Sequence, residues 1–236
     1  MASPGKLKVT VAEVVKHTDA VVSYRFLPQG RVPRFQAGQF LHLALDDYHP
    51  DSPWPESRVF SIASSPAERT TELAVTISVK GRFTERIFNT LAQGSTCWLK
   101  LPYGEFLFPP DRHLVLIAGG VGITPYLSLL KQMIEERSNQ SVSLCYGIRS
   151  AAHYLFGSLL DRCESELPNF TRNLFCEDGS VPGSAPGILD IDAIHAAAPD
   201  GSLFYLSGPP AMITAFKSRL RDLGVASEGV RVDDWE

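Results

Sequence analysis

The segment HLVLIAGGVGITP, residues 113–125, decides the class of the second half of the chain. It joins an uninterrupted apolar run to a glycine-rich turn, and a helical pattern begins at Thr124. Apolar runs alternating with helices are typical of a parallel sheet covered on both faces. The same alternation continues to the end of the chain. It predicts strands at 113–118, 141–147, 170–176 and 202–207, and helices at 124–137, 151–167, 191–198 and 210–224.

The first half of the chain has a different rhythm, with a period of two. Leu73, Val75 and Ile77 alternate with Glu72, Ala74 and Thr76, as expected for a strand with one buried face. Similar short runs, separated by Gly and Pro, predict a six-stranded antiparallel barrel with one helix near 84–91. We therefore expect two domains, a barrel over residues 1–108 and an α/β domain over residues 109–236. The remaining strand candidates begin near residues 7, 21, 40, 58 and 96.

Composition narrows the function classes. The chain has 236 residues and a net charge of −4, so it is long enough for two domains and shows no general affinity for nucleic acid. No apolar run reaches the roughly 20 residues needed to cross a bilayer, and the start lacks a signal-peptide core, so we expect a cytoplasmic protein. The cysteines lack the close spacing of zinc or iron–sulfur ligands, and no metal is expected. They are Cys97, Cys145, Cys163 and Cys176.

The glycine-rich turn at 119–124 is the first candidate ligand site. Gly119, Gly120 and Gly122 allow a sharp turn and a close approach of the backbone to a ligand. Thr124 is expected to be the N-cap of the next helix, with a proline at its first position. The free N–H groups at such a helix start suit a pyrophosphate. The alternative is a tight turn without a ligand, since the motif differs from the GxGxxG fingerprint.

The second candidate is LSGPPAM, residues 206–212. A strand is expected to end at Ser207, Gly208 frees the turn, and Pro209 and Pro210 begin the next helix. This lies at the carboxyl edge of a parallel sheet, where α/β folds bind ligands. Simple turn chemistry is the alternative.

The third candidate is RVFS, from Arg58 through Val59 and Phe60 to Ser61. Arginine can bind a phosphate through two donors, and residues two apart on a strand share a face. Phe60 could therefore stack on a flavin ring beside a phosphate held by Arg58, with the hydroxyl of Ser61 nearby. A surface arginine next to a core phenylalanine is the alternative.

The fourth candidate is the segment beginning GRFT, which comprises Gly81, Arg82, Phe83 and Thr84. Thr84 could cap the following helix, and that helix start is another place to hold a pyrophosphate. The alternative is an ordinary capped helix.

In this order and context, the motifs resemble those of the ferredoxin–NADP reductase superfamily, over nearly the whole chain. RVFS resembles the flavin motif Arg-x-Tyr-Ser, and GRFT resembles the second flavin-phosphate motif. GGVGITP and SGPPAM resemble the two nicotinamide-nucleotide motifs. The sequence LPYGEF, residues 101–106, resembles the turn that closes the flavin barrel.

The resemblance implies a role for each motif. Arg58 and the 81–84 segment would hold flavin phosphate, Phe60 would stack on the isoalloxazine, and Ser61 would bond near N5. The 119–124 turn would hold the pyrophosphate of the nicotinamide dinucleotide, and 207–210 would lie near the nicotinamide. The protein would then pass a hydride from NAD(P)H to a bound flavin, with Ser61 and Ser207 as the catalytic candidates.

Three departures from the family pattern stand out. Phe60 replaces the usual tyrosine, and Ser207 replaces a cysteine that often precedes Gly-Pro-Pro. The chain ends in VRVDDWE, so Trp235 could cover the flavin and Asp233 or Asp234 could supply the family's acidic residue. A frayed tail is the alternative.

The identity of the nucleotides is partly open. FAD is expected over FMN, because the Gly81 segment suits a second phosphate. Arg149 follows a strand and could pair with a 2′-phosphate, which would favour NADPH. Glu177 and Asp178 follow the next strand and would repel that phosphate, so we expect NADH.

The electron acceptor is expected to be a separate ferredoxin or iron–sulfur oxygenase component. A reductase of free flavin, ferric chelates or a quinone is the first alternative. A redox-regulatory subunit that binds nucleotides without turnover is the second. The sequence carries no signal for an oligomeric state.

Overall fold

A computed structural model describes residues 4–233, which form two compact units. The first unit runs through Leu107 and also includes Thr124–Gln132, and the second contains Phe108–Ile123 and the chain from Met133 onward. The assignment of one function to residues 1–108 and another to residues 109–236 stays a prediction.

The first unit is built on a six-stranded antiparallel sheet in the order β4-β3-β6-β1-β2-β5. Its edge strands approach each other, and Ala63 N donates to Ala74 O at 2.8 Å just beyond β4, so the sheet is nearly closed. The predicted barrel is confirmed. Its elements are β1 (Gly5–Thr18), β2 (Val21–Pro28), β3 (Phe40–Ala44), β4 (Ser57–Ser61), β5 (Leu73–Ser78), α1 (Arg82–Thr90) and β6 (Thr96–Tyr103).

Period-two alternation explains the barrel core. On β1, Leu7, Val9 and Val11 are buried, whereas Lys6, the residue before Leu7, points to the other face and is exposed. Leu41 and Leu99 are fully buried in the same cluster. Alternate side chains of a strand point to opposite faces, so one face of each strand fills the interior.

The second unit is built on a six-stranded parallel sheet in the order β10-β9-β8-β7-β11-β12, as the α/β prediction requires. Neighbouring β7 and β11 both end at the same edge, where Ser207 pairs with Ala118. Its strands are β7 (Leu114–Gly119), β8 (Val142–Ile148), β9 (Phe170–Cys176), β10 (Ala185–Pro186), β11 (Leu203–Ser207) and β12 (Val230–Val232). The helices in this part of the chain are α2 (Thr124–Glu136), α3 (Gly157–Glu166), α4 (Ile191–Ala197) and α5 (Pro210–Asp222).

The helix predicted over 151–167 is wrong at its start. A 3₁₀ turn covers Ala151–His153, and α3 begins only at Gly157. Between them Tyr154 is extended (φ −78°, ψ 91°) and Phe156 is left-handed with φ 60°. A left-handed residue cannot continue a right-handed helix, so the apolar pattern is interrupted.

The frayed-tail alternative is wrong for the described end of the chain. β12 pairs with β11 in parallel, and the Asp233 N–H donates to Leu206 O at 3.0 Å. Asp234 and Trp235 lie outside the described residues. Among residues 4–233, no helix is long and apolar enough to cross a membrane, and no cluster of His, Cys, Asp and Glu could hold a metal ion.

Candidate functional site

The two glycine motifs of the second unit pack directly against each other. A Cβ on Gly122 would overlap the carbonyl of Ser207, and one on Gly119 would lie 2.8 Å from Pro209 Cδ. Gly208 has φ +155°, and its Cβ would lie 3.0 Å from Gly119 N. The two segments therefore pack into one site at the carboxyl edge of the sheet. We call residues 119–124 and 207–210 the glycine corner.

Gly120 differs from its neighbours in the glycine corner. It has φ +55°, and a Cβ placed on it would meet nothing within 4 Å. The left-handed conformation favours glycine, and the open space beside it leaves the backbone approachable. Of the four glycines in this corner, Gly120 alone has open space at the position of a Cβ.

Thr124 is not the N-cap that the sequence predicted. A 3₁₀ turn at Gly120–Ile123 runs into α2, Ile123 is the N-cap in a helical conformation, and Thr124 is the first helical residue. The first N–H groups of a helical run have no partner within it. Because the helical run begins at Gly120 and not at Thr124, the backbone N–H groups that could bind an anion belong to the glycine turn.

Ser207 lies at the end of β11 and is 3% exposed. Its Oγ donates a hydrogen bond to Asp233 Oδ2 at 2.9 Å. Asp233 is brought there because β12 pairs with β11, an arrangement that the sequence does not reveal. Asp233, one of the two acidic candidates at the chain end, is thereby joined to Ser207, and the other, Asp234, lies outside the described residues.

Charged residues follow β8 and β9 at the same edge. Arg149 is exposed, and its carbonyl accepts from Asp178 N at 3.2 Å. Asp178 Oδ1 accepts from Ser180 N at 2.9 Å and from Cys176 Sγ at 3.1 Å. Hydrogen bonds from Ser180, the largest cause, and from Cys176 hold the pKa of Asp178 below its usual range, so it stays ionised near neutral pH.

The two segments of the first unit that resemble flavin-binding motifs, RVFS and GRFT, also contact each other. The Arg58 guanidinium on β4 lies 5.0 Å from the ring centroid of Phe83 on α1. Phe83 is buried, and Arg82 beside it is exposed at the first position of α1. Residues 56–61 and 81–86 together form the arginine corner, which places a cation at a helix start.

Thr84 is the third helical residue, not the predicted cap, and Gly81 is the N-cap. The Thr84 hydroxyl nevertheless serves the helix start. It accepts from Gly81 N at 3.1 Å and Lys80 N at 2.9 Å, and it donates to Gly81 O at 2.8 Å. This is the reverse half of a capping box. The N–H groups from Arg82 onward lie in the first turn, where the helix provides no partner.

Phe60 and Ser61 continue β4 beyond Arg58 and Val59. Phe60 is half-buried and packs against the barrel core, and part of its ring stays accessible. Ser61 is buried and pairs with Phe40 on β3.

Phe40 was missed by the sequence reasoning, although it begins β3 beside Ser61. Its ring stacks on Tyr103 with centroids 5.7 Å apart. A Cβ on Gly104 (φ +91°) would lie 2.7 Å from the same ring. The LPYGEF turn therefore contacts β3, next to the flavin-like motif of β4, and the glycine is required for that contact. The alternation of β3 was the only available signal for Phe40.

The first turns of α2 belong to the first unit, and they pack on the segment that follows β4. Ser128 Oγ donates to Ser64 O at 2.7 Å, and Lys131 Nζ lies 3.6 Å from Glu68 Oε2. The Glu68 carboxylate also accepts from Ser65 N at 2.8 Å. Within the first unit, the start of α2 is thereby fixed against the segment that follows β4.

The chain therefore combines an antiparallel barrel and a parallel α/β unit, and each contains one candidate ligand-binding corner. Residues 116–218 match the family model described as "Oxidoreductase NAD-binding domain". That match runs from within β7 to within α5 and includes the whole glycine corner.

Curated relatives match most of the chain. Terephthalate 1,2-dioxygenase, reductase component 1, from a Comamonas species is 28% identical over 88% of this chain and 61% of the relative. The flavohemoprotein of Deinococcus radiodurans is 26% identical over 92% of this chain and 56% of the relative. The chain thus spans about three fifths of the length of these relatives.

Solved structures share the fold. The cytochrome P450 reductase GcoB of Amycolatopsis has a TM-score of 0.84 at 24% identity, covering 99% of this chain and 71% of that one. A ferredoxin NADP⁺ reductase of Neisseria gonorrhoeae, with bound FAD and NADP, has a TM-score of 0.76 at 22% identity and covers 98% of both chains. These two structures show that the chain has the fold of such reductases.

Proposed function

We propose that this chain is an FAD-dependent NAD(P)H oxidoreductase that passes electrons to a separate acceptor. The meeting of Arg58 and Phe83 at 5.0 Å carries the proposal. Two segments that are distant in sequence supply a guanidinium and a helix start to one corner, and this combination suits a phosphate.

At the flavin end, Arg58 and the first turn of α1 bind the flavin diphosphate. Phe60 lies on the same face of β4 as Arg58 and supports the ring system, while Ser61 offers a hydroxyl near N5. When bound, the flavin supplies the hydride acceptor. FAD is preferred to FMN because the first-turn N–H groups of α1 offer a place for its second phosphate.

At the nicotinamide end, the glycine corner binds the pyrophosphate through the backbone around Gly119, Gly120 and Gly122. Ser207, Gly208, Pro209 and Pro210 line the nicotinamide position. The hydrogen bond from Ser207 to Asp233 fixes the direction of the hydroxyl proton, so the Ser207 oxygen would be left to accept a hydrogen bond from a bound nicotinamide. The predicted flavin contact of Trp235 lies outside the described residues.

The preferred acceptor is a ferredoxin or the iron–sulfur component of an oxygenase. Relatives named as reductase components of a dioxygenase support it. Flavohemoproteins are also similar to this chain. A free-flavin, ferric or quinone reductase is the competing activity.

Two measurements test this function. The protein is purified without added flavin, its bound flavin is counted, and NADH oxidation is then followed with ferricyanide after reconstitution with FAD. We expect retained FAD and steady turnover. Ready loss of flavin with turnover would favour the free-flavin reductase. Binding of both nucleotides without any turnover would favour a regulatory subunit and contradict the proposal.

A further inference from the structure

The guanidinium of Arg58 already has an anionic neighbour. Its Nη2 donates to Glu56 Oε1 at 3.0 Å, and its Nη1 donates to Ser57 O at 2.8 Å. The two side chains are 52% and 57% exposed, so water competes for both charges. Glu56 thus holds part of the donor set that a flavin phosphate would use.

The loop that carries Glu56 is firmly attached to the barrel. Tyr48 is buried, with its ring centroid 5.4 Å from those of Trp54 and Trp98. Trp54 Nε1 donates to Ser57 Oγ at 3.0 Å. Because these contacts hold the loop on both sides of Glu56, a ligand needs to move only the Glu56 side chain.

A second acid from the same loop neutralises a second arginine. Asp46 Oδ2 accepts from Arg86 Nη1 on α1 at 3.1 Å, and Asp46 also pairs with Arg86 Nη2. The hydrogen bond that Arg86 donates to Asp46 is the largest cause that raises the pKa of Arg86, and the charge of Glu56 adds to it. The carboxylate of Glu56 therefore acts on both Arg58 and Arg86.

We propose that Glu56 is an internal competitor for the flavin phosphate at Arg58 and sets how tightly the chain retains flavin. The inference rests on the proposed function. An exposed carboxylate that uses one oxygen forms a weak pair. A phosphate can take two guanidinium donors at once, so it displaces Glu56.

The test uses the full chain with Glu56→Gln, which keeps the size of the side chain and removes its charge. FAD dissociation constants are measured by flavin fluorescence at low and high salt. We expect the variant to bind FAD about two- to fivefold more tightly at low salt, the scale of an exposed ion pair. The gain should shrink at high salt, because salt screens exposed charges.

Asp51→Asn is the matched control, since Asp51 is an exposed acid of the same loop. It should leave the affinity for FAD unchanged. Equal tightening by Glu56→Gln and Asp51→Asn would overturn the inference, because the effect would then be one of overall charge. Unchanged or weaker binding by Glu56→Gln would also overturn it.

Arg58→Ala separates this inference from the proposed function. In that background Glu56→Gln should have no effect, since the competition needs the guanidinium. If Arg58→Ala alone binds FAD as tightly as the parent, the phosphate site itself is wrong. If Arg58→Ala weakens binding and Glu56→Gln does not tighten it, only the competition is wrong.

Discussion

The glycine corner and the arginine corner are both candidate anion-binding sites, but they offer an anion different groups. Residues 119–124 and 207–210 contain no charged side chain, and their close packing leaves backbone groups to meet an anion. The arginine corner carries Arg58, Arg82 and Arg86, two of them paired with acids. One corner therefore depends on shape and the other on charge, so substitutions and salt should affect them differently.

Gly120→Val should have the largest effect on the glycine corner. The new side chain enters the open space beside the turn, and φ +55° is unfavourable for a β-branched residue. We expect the KM for the nicotinamide nucleotide to rise about tenfold or more, with FAD content unchanged.

The control for this substitution is Gly224→Val. Gly224 has φ +87° and open space at its Cβ, so it carries comparable backbone strain away from the corner. A similar rise in KM for both variants would show that strain alone is responsible. Loss of flavin with unchanged nucleotide affinity would reverse the roles of the two corners.

Arg58→Ala should have the next largest effect, now on the arginine corner. A charge-assisted phosphate contact is worth about 1.5–3 kcal/mol, so FAD should bind about ten- to a hundredfold more weakly. The nucleotide affinity should stay the same. Titration with FAD measures the change, and Arg34→Ala, an exposed arginine of the same unit, is the control. Equal weakening by both variants would contradict a specific contact.

Ser207→Ala tests the chemistry at the glycine corner. It removes the hydroxyl that donates to Asp233, and we expect the rate of flavin reduction by NADH to fall about three- to tenfold. Stopped-flow measurements give this rate separately from nucleotide binding. Ser202→Ala removes another buried serine just before β11, and it should leave the rate intact. An unchanged rate in Ser207→Ala would exclude a role for the hydroxyl.

Asp178→Asn should have the smallest effect. The depressed pKa of Asp178 keeps its carboxylate charged at neutral pH, so it should disfavour a 2′-phosphate near Arg149. We expect the preference for NADH over NADPH to fall about two- to fivefold in the variant. Comparison of kcat/KM for the two nucleotides measures it, with Asp200→Asn, an exposed acid before β11, as the control. No change in preference would remove Asp178 from the selection of nucleotide.

Local sequence patterns predicted the parts of the fold that depend on local physics. Alternation along β5 and the apolar runs of β7 and β11 identified both sheets. The spacing of apolar residues along a strand shows whether one or both of its faces are buried. The pattern failed at 154–156, where a left-handed Phe156 delays α3. It also missed β12, a three-residue edge strand that exists only because β11 lies beside it.

The candidate sites divide in the same way. The glycines of the glycine corner could be predicted from the sequence, since tight turns need glycine. Thr84 and Thr124 were both expected at the N-cap but lie inside their helices, at the third and the first helical position, because a cap depends on backbone angles as well as on residue type. The contacts from Arg58 to Phe83 and from Ser207 to Asp233 join residues 25 and 26 positions apart, which no local pattern specifies.

The central claim is that the chain binds a flavin that a nicotinamide nucleotide reduces. The most direct test is the visible spectrum of the FAD-reconstituted protein under anaerobic conditions, recorded before and after addition of NADH and, separately, NADPH. We predict a yellow protein whose flavin absorption bleaches, and does so faster with NADH. A protein that stays colourless after incubation with FAD and with FMN, or a bound flavin that neither nucleotide bleaches, would contradict the claim.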